Sequence, residues 1–206
     1  MSRLVRTTRH PLKRAVLGLF AKTGIGVGEL CNLCMGDVFL DDEDVSEAYS
    51  DREFEWVKND LRALRIRVKG DEPYSQRRER IETTLVPLDD PTCRVLKRWL
   101  AVRPDTRRRS RPLFVSTHSW GEQLSPLAVG NLVESRATAL GFADGESELN
   151  NFTPYTLRYF FTERFPGQPA VRKYILEGVS TTFSFEQLVA HYRDNIYPVF
   201  NPYPSK

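Results

Sequence analysis

A mixed α+β fold, mainly α-helical with one small antiparallel sheet, is what three observations on this sequence predict. Apolar residues recur at helical spacing in segments that open on proline or a capping hydroxyl and close on glycine. Three short segments alternate with period two instead, as half-buried strands do. The chain has 206 residues, enough for one sizeable core, and it holds no internal repeat. No apolar run approaches the roughly 18 residues of a membrane span, so a membrane partner is excluded. The basic N-terminus lacks the continuous apolar region of a signal peptide. An intracellular, cytoplasmic protein is expected.

Pro11 opens the first helix, with Leu12, Ala15, Val16, Leu19 and Phe20 on one face, and Thr23-Gly24 ends it. A short second helix runs through Glu29, Leu30 and Leu33. The strands are carried by Val38 and Leu40, by Leu64, Ile66 and Val68, and by Ile81, Thr83 and Leu85. Between the first two lies an acidic insertion, and between the next two a basic loop from Gly70 to Arg80. Asp90-Pro91 then caps a helix with Val95, Leu96, Trp99 and Leu100, which stops before Pro104. Pro112 to Thr117 is a short apolar segment, and Ser125-Pro126 starts a helix that ends at Gly141. Thr153 caps the next helix, with Pro154 in its first position and Arg158 in its first turn, and it stops at Pro166-Gly167. A short helix runs from Pro169 to Gly178. The last begins at Ser184 with Gln187 completing a capping box, and Phe185, Leu188, Val189 and Tyr192 share one of its faces.

The net charge of +3 hides a segregated distribution. Arg3, Arg6, Arg9, Lys13 and Arg14 form one basic cluster, Arg77, Arg78 and Arg80 a second, and Arg103 to Arg111 a third. Asp41 to Glu55 form one long acidic block. Basic clusters that face one way attract a phosphate backbone without reading its sequence, although an ordinary solvated surface has the same composition.

Motif by motif, the sequence resembles the tyrosine recombinases, or phage integrases. Thr153-Pro154-Tyr155-Thr156-Leu157-Arg158 is similar to the family's threonine-proline-histidine-x-x-arginine box, and Thr23-Gly24-Ile25-Gly26-Val27-Gly28-Glu29-Leu30 to its first motif, with Asp37 as the aspartate that follows. Ile66-Arg67-Val68-Lys69-Gly70 is similar to the start of the hairpin that bears a lysine, and Leu113-Phe114-Val115-Ser116 to the segment before the second box. The order of motifs matches over nearly the whole chain. The resemblance is strongest to archaeal, especially haloarchaeal, versions, and implies a mobile element or a virus as origin.

What the resemblance implies is DNA recombination and integration on double-stranded DNA, with no cofactor. A tyrosine attacks the scissile phosphate, forms a 3′-phosphotyrosyl link and expels a 5′-hydroxyl, while arginines and a lysine stabilise charge and supply the proton. The matching catalytic residues are Tyr192, Arg158 and Lys69, and the DNA-binding set is Arg77, Arg78, Arg80 and Lys22. Three catalytic places are degenerate. Gly26 stands for the first arginine, Tyr155 for the first histidine, and Val179, after Glu177-Gly178, for the second. Losing an arginine that stabilises phosphoryl transfer costs about 10³- to 10⁵-fold in rate, so strand cleavage is expected to be impaired. Lys22, or Arg77 or Arg78 from the hairpin loop, is a candidate to bring a cation to the place beside Gly26.

The same residues have plainer readings. Tyr192 beside Leu188 and Val189 also fits a core tyrosine, and one Cys31-x-x-Cys34 pair lacks the second pair a zinc site needs. The resemblance implies one integrase-type catalytic domain over 1–206, without the N-terminal core-binding domain of relatives, and a C-terminal aromatic tail suited to homo-oligomer contacts. Three functions remain open: a recombinase acting through Tyr192, a silent DNA-binding accessory or regulatory module, and a protein-interaction fold without DNA activity.

Overall fold

Proline and glycine punctuation sets most of the helix limits seen in the computed structural model, which describes residues 2–40, 62–68, 73–74, 80–106, 111–142 and 152–199. Helix α1 (Ser2–Arg6) precedes α2 (Pro11–Thr23), where Pro11 takes the first turn and Gly24 stops the helix in the left-handed conformation. Nearly all of α2 from Ala15 onward is buried, including Val16, Leu19 and Phe20, so it is the central helix rather than an amphipathic surface one. It packs on α1, on α4 (Asp90–Leu100), on α5 (Pro126–Thr138) and on α6 (Pro154–Glu163).

A short α3 (Val27–Asn32) and a 3₁₀ turn (Met35–Asp37) lead into the sheet. Its strands β1 (Val38–Phe39), β2 (Ala63–Ile66) and β3 (Thr84–Pro87) pair antiparallel in sequence order, with Val38 opposite Leu64 and Leu64 opposite Val86. Asp37, buried at the sheet's edge, accepts from Arg65 Nε and Arg67 Nε, both at 2.7 Å, which fixes the turn against β2. The third strand starts three residues later than the alternation of Ile81, Thr83 and Leu85 predicts. Ile81 N–H donates to the Glu177 carbonyl and Glu82 N–H to that of Gly178, so this segment pairs with a helix end instead of β2. The acidic block 41–61 and the loop residues Lys69, Arg77 and Arg78 lie outside the described residues.

The remaining helix starts follow their caps. Asp89, rather than Asp90, is the N-cap of α4 and accepts from Thr92 N–H at 3.1 Å. Ser125 caps α5 through Ala128 N–H at 3.2 Å. Thr153 caps α6, its backbone N–H donating to the Thr156 hydroxyl at 3.2 Å. Arg158 is the fifth residue of α6 and so opens its second turn rather than lying in its first. Helix α7 (Pro169–Glu177) ends on left-handed Gly178, and α8 (Phe185–His191) begins with the Ser184–Gln187 capping box. It continues through a five-residue π turn (Tyr192–Ile196) into α9 (Tyr197–Val199). The shared face of α8 is narrower than expected: Leu188 and Tyr192 are buried, but Val189 is exposed. Among the described residues no helix is long and apolar enough to cross a membrane.

Candidate functional site

The start of α3, the second turn of α6 and the end of α7 converge on one buried carboxylate, Glu29. Its position three residues after Gly26 puts it at N3 of α3, where an acid reaches back to the helix start. Glu29 Oε2 accepts from Gly26 N–H at 2.6 Å and from Arg158 Nη1 at 3.3 Å, and Oε1 accepts from Arg80 Nε at 3.0 Å. Arg80 completes its bonding with the Thr84 hydroxyl at 2.7 Å and the Ile175 carbonyl at 2.9 Å. Arg158 Nη2 donates to the Leu176 carbonyl at 3.0 Å, satisfying an otherwise open carbonyl near the α7 terminus.

This network answers what stands beside Gly26. A Cβ built there would lie 2.9 Å from Arg158 Nη1 and 3.0 Å from Glu29 Oε2. The space is filled by Arg158 itself, held by Glu29. Lys22, expected as a replacement cation and DNA contact, is instead buried and ion-paired with Asp89, the α4 N-cap, with Tyr197 stacked over its ammonium at 5.4 Å. Desolvation lowers its pKa, while Asp89 pulls it back up. Arg80, expected to face DNA, is buried with its N–H groups turned to Glu29, Thr84 and Ile175. Each of these cations has a partner supplied by a distant segment, and desolvating an unpaired charge would cost far more.

Tyr192 is fully buried, its ring edge-on to Tyr197 at 5.6 Å, and its hydroxyl has no hydrogen-bond partner among the described residues. Burial raises its pKa well above the ordinary phenol value, with Tyr197 and Tyr174 adding to the shift and Arg80 opposing it. As packed, the hydroxyl is protonated at neutral pH and faces protein. Tyr155 is 64% exposed on α6, and Val179 follows Gly178 in a half-buried loop. Arg158 is thus brought together with Gly26, whereas Lys22 and Tyr192 meet around Tyr197 instead. Cys31 is buried, which pushes its thiol up to about 12, and no cluster of three metal-ligating side chains occurs among the described residues.

Three solved structures share this fold. The XerA recombinase superposes with a TM-score of 0.60 at 21% identity, over 93% of this chain and 61% of its own. The integrase of mycobacterium phage Brujita gives 0.59 at 13%, over 99% and 56%. The Tn1549 transposon integrase, in complex with transposon right-end DNA, gives 0.58 at 15%, over 94% and 62%. The fold is that of a tyrosine recombinase catalytic domain. The chain spans about three fifths of the length of these recombinases. No family model matches the sequence, and no curated protein does.

Near the N-terminus, Arg3, Arg6, Arg9 and Lys13 all face solvent. Helix α7 adds exposed Arg172 and Lys173. Glu29 lies within the first-motif segment but has no site role among the residues expected there, and its legible signal is an acid at N3 of a helix.

Proposed function

We propose that the protein binds double-stranded DNA through a tyrosine recombinase fold whose strand-cleavage chemistry is impaired, and that it acts as an accessory or regulatory module in DNA recombination or integration. The observation that carries this reading is the network at Glu29. In it the arginine matched to the second catalytic arginine is held by a carboxylate, and Gly26 contributes no side chain. A carboxylate on Arg158 competes with a phosphate oxygen for the same N–H groups, since both accept in the same fork geometry. The buried hydroxyl of Tyr192 supports the same conclusion, because the nucleophile of a phosphotyrosyl reaction has to reach the phosphorus atom.

Residual cleavage, if it occurs, runs through Tyr192, Arg158 and Lys69. Duplex binding draws on the exposed N-terminal arginines and on Arg77 and Arg78, and an archaeal mobile element or virus fits the motif resemblance. The test is duplex binding measured across a salt series. Affinity falling steeply between about 50 and 200 mM salt is expected from counterion release. Failure to bind any duplex at low salt overturns this reading and leaves a protein-interaction fold.

A further inference from the structure

No acidic residue precedes Glu29, whereas Arg3, Arg6, Arg9 and Lys13 of that stretch are all exposed. The packing of α1, α2 and α4 brings two more cations beside them. Leu4 and Val5 of α1 are buried, and Val5 lines one small cavity with Ala15 and Gly18 of α2 and Pro91 and Val95 of α4, so α1 lies over the seam between the two longer helices. That leaves Arg3 and Arg6 on the outer side of the seam. Lys22 at the end of α2 pairs with Asp89 at the start of α4, so α4 runs back along α2 towards Lys13. Pro91, Val95 and Arg98 fall at i, i+4 and i+7 on the stripe that meets α1, and exposed Arg94 stands one turn before exposed Arg98. The acids of α4 and α5 are committed or turned away. Asp90 pairs with Arg62, and Glu134 lies two residues before Arg136, nearly opposite it around α5, while Arg136 Nε donates to the Thr8 hydroxyl at 2.9 Å.

We propose that this face of α1, α2 and α4 holds the DNA backbone, so that the duplex docks away from the Glu29 network rather than over it. This deepens the proposed DNA-binding function and rests on it. The side chains of Arg3, Arg6, Arg9, Lys13, Arg94 and Arg98 have no ion-pair or hydrogen-bond partner among the described residues, whereas Lys22, Arg80 and Arg158 are all held by acids. Uncommitted guanidinium groups can take phosphate oxygens through two parallel N–H bonds, which positions a duplex without reading its bases. No large apolar side chain is exposed on α1, α2 or α4, so the face lacks the apolar anchors of a protein interface and suits a polyanion instead. Helix α2 has 13 residues, which puts its basic start about 20 Å from the end that leads to Gly26. A duplex bound at that start is held without any phosphate being placed on Arg158, as an accessory module requires.

The experiment measures duplex affinity across a salt series for the wild-type protein, R94Q/R98Q, R6Q/R9Q/K13Q/R94Q/R98Q and, as a control on α7, R172Q/K173Q. Every substituted side chain is exposed, and an unchanged Tm confirms that each variant is folded. Each phosphate contact removed lowers the slope of log affinity against log salt by about 0.9. R94Q/R98Q is therefore expected to lose about 2 of that slope and the five-site variant about 4, while R172Q/K173Q keeps the wild-type value. A five-site variant that keeps the wild-type slope overturns this docking face while leaving duplex binding intact. A wild-type protein that binds no duplex at low salt overturns the face together with the proposed function. Retention of polyglutamate through these five cations would then make it a face for an acidic protein.

Discussion

At the scale of single residues, the centre of the molecule is an acid between two arginines. Arg80 and Arg158 each reach a Glu29 carboxylate oxygen within 3.3 Å, and the carboxylate is almost wholly removed from water. A buried pair of this kind adds little net stability over apolar packing, but removing one partner strands the other charges. Glu29→Ala leaves Arg80 buried without its acid and also opens the Gly26 N–H. It is therefore expected to lower unfolding free energy by about 3–5 kcal/mol in urea titration. A loss below about 1 kcal/mol would show that water reaches the two guanidinium groups and that the network is looser than described. Gly26 has an ordinary extended backbone, with φ −74°, so it is the absence of a side chain and not its backbone freedom that matters there.

At the scale of elements, the junction between α7 and the segment before β3 ties the sheet to the helices. Gly178 ends α7 with φ +67°, and its N–H donates to the Tyr174 carbonyl at 3.0 Å. Its own carbonyl receives Glu82 N–H at 2.9 Å, so one residue closes a helix and anchors a strand entry. A Cβ on residue 178 would meet the Glu82 backbone carbonyl and Arg80 Cγ. Gly178→Ala thus combines a left-handed backbone with a clash against main chain, and is expected to cost about 1–3 kcal/mol in thermal or urea unfolding. A neutral result would mean that the α7 terminus rearranges without disturbing Arg80.

At the scale of the whole molecule, what could be read from the chain was what is decided locally. Pro11 and Gly24, Ser125 with Pro126, Pro169 and Gly178, and the Ser184–Gln187 box all mark helix limits because capping depends on a few adjacent residues. The period-two segments locate the sheet, but the alternation of Ile81, Thr83 and Leu85 begins too early, because alternation cannot tell a strand partner from a helix terminus. The site was legible only in part, for a related reason. Arg158 stood out by its place in the box, yet Arg80 and Lys22 read as surface cations until Glu29 and Asp89, 51 and 67 residues away, came beside them. Charge on a sequence carries no burial, and a buried cation is recognised by the acid that faces it.

The most direct measurement on the whole molecule is incubation with nicked duplexes that trap any phosphotyrosyl intermediate, followed by denaturing gel analysis. The expected result is a salt-sensitive complex with no covalent protein–DNA adduct, as follows from Gly26, the Glu29-held Arg158 and the buried Tyr192 hydroxyl. A covalent adduct in the wild-type protein that disappears in Tyr192→Phe would contradict it, and would show that Tyr192 leaves the core to attack DNA.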